Sequence, residues 1–145
     1  MARRFLPAAA AAALAICLAA PAFAVDTAPS GDATLESARA AIESGDYAGA
    51  IGALQAALQA APGNADILNL LGYANRKAGN LDQAAQWYEA ALAADPNHLG
   101  ALEYQGEMFV MQGNTAAAEA NLARLTDLCG SCEEREDLAE ALAGS

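Results

Sequence analysis

Cys129-x-x-Cys132 is the pair whose type and spacing most directly suggest chemistry. Two thiols at this spacing support four readings. In an oxidising compartment they close a disulfide. At a helix start, where the dipole lowers a thiol pKa, they form a redox pair. With Met108, Met111 or His98 they offer soft ligands suited to cuprous copper. Across two chains they form an intermolecular bond. The first reading is favoured and the others stay open. Glu133, Glu134, Glu136 and Asp137 follow directly and oppose thiolate formation. No alternating strand–helix pattern suggests a thioredoxin-like setting. A zinc site wants four ligands, and no second Cys/His pair stands at usable spacing. Glu133, not histidine, follows Cys132, which disfavours covalent haem. A bridge this short is worth roughly 2 kcal/mol in the chain-entropy picture. Its use would be to fix the angle at which a last helix folds back.

Conventional catalysis has little to work with. His98 is the single histidine, in a loop beside Pro96-Asn97. No nucleophile elbow or phosphate-cradling glycine loop occurs. Carboxylates are plentiful but scattered along charged helix faces. The expectation is a non-enzyme without metal or cofactor, whose function lies in a surface. Asn69, Tyr73, Arg76 and Lys77 recur at three- to four-residue spacing, so they share one helix face. Arg76-Lys77 is the only adjacent basic pair after the N-terminal leader. Tyrosine and arginine are enriched among residues that dominate binding energy. A basic pair suits a carboxylate-bearing group.

The elements that must position these residues follow from periodicity. Between 65 and 98, Ile67, Leu68, Leu71 and Ala74 mark one helix face. Leu81, Ala84, Ala85, Tyr88 and Leu92 mark a second. Gly79 suits the left-handed residue that ends a helix, and Asp95-Pro96 stops the next one. The hairpin then repeats. Gly45, Gly79 and Gly113 keep one step, as do Ala50, Ala84 and Ala118, then Leu54, Tyr88 and Leu122, then Ala57, Ala91 and Leu125. Pro62 and Pro96 match, with Gly130 where a third proline would fall.

A period of about 34 residues built from helical hairpins resembles the tetratricopeptide repeat (TPR) family. Leu68, Leu71, Gly72, Ala84, Tyr88, Ala91 and Pro96 sit at its defining positions, while Leu68 replaces the first aromatic and Asn75 a tyrosine. Gly72 and Ala84 are small, so two helices can approach, and Tyr88 fills the gap. One repeat cannot cover its own apolar face, so neighbours must stack. The expected fold class is an all-α solenoid: repeats at about 31–64, 65–98 and 99–132, then a capping helix at 133–143, within a domain spanning 32–143. The first repeat is degenerate, as suits a terminal unit, with Asp32 or Thr34 expected to cap its first helix. Gln105 stands where a leucine belongs in the third. Ser131 and Glu134 fit a capping box for the last helix.

The resemblance implies a concave groove lined by the first helix of each repeat. It places Leu35, Arg39, Ile42 and Glu43 there from repeat one. Repeat two gives Asp66, Asn69, Tyr73, Arg76 and Lys77; repeat three gives Glu103, Glu107, Val110 and Met111. Arg39, Asn69, Tyr73, Arg76, Lys77, Glu103 and Glu107 are the expected partner-binding residues. Glu103 and Glu107 would meet a basic residue of the same ligand. The pattern does not match the carboxylate clamp of chaperone-binding members, so that ligand class is not carried over. The function implied is non-catalytic binding of a protein or peptide, as an adaptor or assembly factor. The alternative is a thiol-redox or copper-handling module using Cys129 and Cys132.

The N-terminus is read separately. Arg3-Arg4, a largely apolar run from Phe5 to Ala20, and Ala22-Phe23-Ala24 form a signal peptide, residues 1–24. The run is short for a membrane span of roughly 20 residues, so no anchor is expected in the mature form. Ile16 before Cys17 argues against a lipoprotein, and the spacing from Arg3-Arg4 to Phe5-Leu6 argues against a twin-arginine signal. Residues 25–31, with Pro29 and Gly31, read as a flexible lead-in. The periplasm is the expected compartment. The net charge is −11, and loss of Arg3 and Arg4 makes the mature form more acidic. Such a surface repels nucleic acid and anionic membranes, and serves solubility. N-terminal sequencing of the envelope form should begin at Val25; an intact Met1 on mature protein would overturn the compartment and weaken the disulfide reading.

Overall fold

The computed structural model describes residues 31–145. Cleavage after Ala24 and the lead-in up to residue 30 lie outside them. The described residues form α1 (Gly31–Glu43), α2 (Tyr47–Ala60), α3 (Ala65–Lys77), α4 (Leu81–Ala94), α5 (Leu99–Met111), α6 (Thr115–Cys129) and α7 (Glu133–Ala143). Helices α1 and α2, α3 and α4, and α5 and α6 pack as hairpins. The hairpins stack through α2 on α3 and α4 on α5, and α7 closes the array against α5 and α6. The chain is an all-α helical-hairpin solenoid.

One turn is used three times. Gly45, Gly79 and Gly113 have φ of 79°, 85° and 73°, a region nearly closed to other residues. Beyond each, the next N–H reaches back to a helix carbonyl: Asp46 to Ala41, Asn80 to Asn75 and Asn114 to Phe109, all at 2.8 Å. This is the bonding of a Schellman cap. Asp46 and Asn114 then cap the following helix, accepting from the N–H groups of Gly49 at 2.9 Å and Ala117 at 3.3 Å. Asn80 instead donates to Asn75 at 3.4 Å, and Asn75 donates to the Leu71 carbonyl at 2.8 Å. The asparagine that replaces a family tyrosine therefore ties the turn to α3.

The hairpins close through small residues. A Cβ on Gly72 would collide with the ring of Tyr88, which lies fully buried beside it with Ala84 and Met108. Ala91 packs with Leu68 and Ala101, joining the second hairpin to the third. The third hairpin solves the same problem differently. A Cβ on Gly106, one period after Gly72, would collide with Leu138 of α7. Leu122, in register with Tyr88, is too short to fill that slot and is only partly buried. The capping helix therefore supplies the missing volume. Leu102, Leu125 and Leu138 form the terminal core.

Three local expectations need correction. Gly31, expected in the lead-in, belongs to α1, and the backbone of Asp32 and Thr34 is helical, which a cap residue's is not. Ser131 does not cap α7: Cys132 is the N-cap, without a side-chain cap bond. The sulfurs of Cys129, the last residue of α6, and Cys132 stand at bonding distance, and Ser131 lies one position outside α7's cap. Gln105 replaces an apolar residue without being orphaned. Its Oε1 accepts from Asn121 at 3.1 Å, and Asn121 also donates to the Leu102 carbonyl at 3.0 Å.

Gly72→Leu should destabilise the fold by about 1–3 kcal/mol, because Tyr88 has nowhere to go. Gln83→Leu, at an exposed site, should stay within about 0.5 kcal/mol of wild type. Equal melting temperatures for Gly72→Leu and wild type would refute the helix contact. Unreduced protein isolated from the envelope should resist alkylation at Cys129 and Cys132; two labelled thiols by mass would reject the bridge.

Candidate functional site

The first helices of repeats two and three touch directly, α3 on α5. From α3, Tyr73, Arg76 and Lys77 occupy one face. From α5, Tyr104, Glu107 and Met111 answer at the same three- and four-residue steps. The rings of Tyr73 and Tyr104 pack with centroids 4.9 Å apart and planes tilted by 53°. The Arg76 guanidinium sits 5.5 Å from both centroids. It also holds Glu107 through Nη2 at 2.6 Å and approaches Met111 Sδ with Nη1 at 3.9 Å. Lys77 Nζ lies 5.5 Å from the Tyr73 ring.

Arg76 is only 9% exposed. Burial alone would lower its pKa, but Tyr88 and Glu107 hold it above the ordinary arginine value. The Tyr88 hydroxyl is buried near this guanidinium, yet neither it nor Arg76 Nε makes a hydrogen bond of standard geometry. Burial also pushes the Tyr88 hydroxyl up, and moves Tyr104 to about 12, with Glu103 and Tyr73 adding to the latter. Both tyrosines are therefore neutral at physiological pH. The cluster is a rigid aromatic and cationic surface with its charge matched by Glu107, well suited to contact and without an evident nucleophile.

Glu103 lies one turn before Glu107 on α5. It is 6% exposed, and its carboxyl makes no hydrogen bond or ion pair among the described residues. Its pKa is pushed up to about 8, first by burial, then by Glu107, Asp137 and Glu134, with Arg76 pulling the other way. Two of these acids belong to α7. The capping helix thus turns part of its acidic face toward α5.

The structure brings together Tyr73, Arg76, Lys77 and Glu107, with Glu103 beside them. Arg76 and Glu107 are engaged with each other instead of both standing free for a ligand. Asn69 is 6% exposed, with its amide nitrogen against Gly100, so it wedges α3 onto α5 rather than presenting a surface. Arg39 is exposed on α1, outside the cluster. Leu35 and Ile42 are half-buried against the first core and Val110 against the terminal core. Asp66 meets Nε2 of His98 at 3.0 Å. His98 Nδ1 accepts from the Ala101 N–H at 3.1 Å, so the histidine is the N-cap of α5. Met108 is core, and Met111 is 60% exposed beside Arg76. His98, Met108 and Met111 therefore each have partners of their own.

Four contributors escaped the sequence reading. Tyr104 carried a signal, since it precedes Glu107 by three residues on the same helix face. Tyr88 read only as core. Glu134 and Asp137 read only as acids that oppose thiolate formation; their approach to Glu103 depends on how α7 docks. Among the described residues, no helix is long and apolar enough to cross a membrane.

Comparison with known proteins agrees with this architecture. A tetratricopeptide repeat family model matches residues 35–99 and 88–131. No curated protein sequence matches the chain. Among solved structures, the Arabidopsis OM64 TPR domain is similar at a TM-score of 0.71 and 17% identity, covering 79% of this chain and 94% of that one. The Yersinia enterocolitica type III secretion translocator chaperone SycD gives 0.71 and 20%, covering 81% and 89%. The first TPR of Spaghetti (RPAP3), bound to an HSP90 peptide, gives 0.69 and 18%, covering 78% and 95%. At these identities the structural likeness speaks for the fold, and the family match extends across all three hairpins: the chain belongs to the tetratricopeptide repeat family.

Proposed function

We propose that this protein is an exported, non-catalytic adaptor or assembly factor that binds a segment of another protein along α3 and α5. The observation that carries this reading is the Tyr73–Tyr104–Arg76–Glu107 cluster. Two tyrosine rings and the stem of an arginine form a preorganised contact surface, and rings held by packing lose little entropy on binding. The SycD match is to a chaperone and the RPAP3 domain carries a bound peptide, which supports a protein or peptide as partner here. The signal peptide at residues 1–24 supports a periplasmic setting, where a Cys129–Cys132 bridge would persist. In this reading the bridge is structural, holding α7 against the end of the array.

The partner can be captured from an envelope fraction with mature protein and then titrated against variants. Arg76 is a poor target, because its removal strands Glu107 in a partly buried site. Tyr73→Ala with Lys77→Ala avoids that. This pair should leave helix content unchanged and weaken binding by at least about 2 kcal/mol if it removes a hot spot. Gln83→Ala with Gln86→Ala, both exposed on α4, should have little effect. Equal affinity of both variants and wild type would move the site off this face.

A further inference from the structure

We propose an acidic recess at Glu103, where α7 packs on α5, that receives an arginine or lysine side chain of the bound protein segment. The inference rests on the adaptor reading and specifies what the partner must carry.

The first observation is the state of Glu103. A carboxyl this deeply buried ordinarily has a cationic or hydrogen-bonding partner. Glu103 has none among the described residues, and its oxygens are not among the side-chain atoms sealed from solvent. It is therefore an unpartnered acid that a ligand group can still reach. The second observation is the company it keeps. The charged and titratable groups acting on it most strongly are Glu107 and Tyr104 on its own helix, Glu134 and Asp137 on α7, and Arg76 on α3. Arg76 is the one cation of that set, and it is already spent on Glu107 at 2.6 Å. Arg135 of α7 stands between Glu134 and Asp137 but makes no ion pair among the described residues, so the recess keeps more acids than cations. The third observation is that α7 is held in place. Leu138 fills the slot at Gly106, and the Cys129–Cys132 bond ties the start of α7 to the end of α6.

A long cationic side chain matches this site in sign, reach and chemistry. Its apolar stem can lie beside Tyr104 while its head donates to Glu103 and Asp137. A bare metal ion fits less well, since the acids among the described residues do not group closely enough to hold one. In the free protein Glu103 keeps its proton near neutral pH, its pKa being about 8. An incoming guanidinium favours the ionised form, so binding releases a proton. The folded-state pKa lies above the ordinary carboxylate value. Stability from Glu103 is therefore present at low pH and lost as pH rises through about 8, while affinity for the cation rises over the same window.

Short random linear peptides displayed on phage and selected on the folded, disulfide-intact protein provide the test. Selected peptides should share one Arg or Lys position. A synthetic binder with citrulline in place of that arginine should bind about tenfold or more weakly, and Glu103→Gln or Asp137→Asn should weaken the arginine form to a similar degree. Affinity of the arginine peptide for wild type should rise several-fold between about pH 6.5 and about pH 9, and Glu103→Gln should flatten that rise. Binders without a basic position, or with equal affinity for the citrulline form, would overturn the recess and leave the groove standing. Binders that need Glu103 but ignore Tyr73→Ala with Lys77→Ala would instead overturn the wider groove. A selection that yields no peptide overturns both.

Discussion

The fold depends on how closely two helices can lie. Between α3 and α4 that distance is set by the Tyr88 ring resting against the backbone at Gly72, with Ala84 keeping the other surface low. Any side chain at Gly72 would push α4 outward, and every later hairpin inherits its position from the one before. Stacked repeats behave nearly as a one-dimensional array, so a shift at one contact is carried along the axis. The distance from Tyr73 to Tyr104, and from Arg76 to Glu107, is thus a consequence of packing on the far side of α3.

That consequence is electrostatic. Placing α3 beside α5 brings a buried arginine into a site where burial alone would disfavour its charge. Glu107 and the two tyrosine faces offset this, and the guanidinium is fixed in turn. Arg76 is therefore better understood as the part that aligns the tyrosines than as a free cation awaiting a ligand. The exposed groups around it, Lys77 and Met111, keep the freedom to adapt.

Much of the fold was legible because it is local. Helix faces, the glycine turns and the proline stop are written within a dozen residues of one another, and a repeated period multiplies each signal. The turn at Gly79 could be read from its own neighbourhood. The candidate site was legible only by helix face. Tyr73, Arg76 and Lys77 share one by spacing, but the choice of Glu107 as the partner of Arg76 depends on how two repeats stack. Asn69 shows the limit from the other side: its spacing puts it on the same helix, while the width of the contact with Gly100 buries it. Ser131 failed for a different reason: Cys132, whose sulfur stands against that of Cys129, takes the N-cap position itself.

The end of the array is where repetition stops and sequence reading loses its footing. Leu122 keeps the place of Tyr88 but not its volume, so Gly106 is left with an open slot. Leu138 fills that slot from α7. In doing so it sets the register of α7, and with it the approach of Glu134 and Asp137 to Glu103. A tyrosine at 122 would fill the slot from within the hairpin and give α7 a different seat. The acidic recess therefore follows from a missing ring: a small loss of packing volume in α6 is made good by the capping helix, which carries its carboxylates to the groove with it.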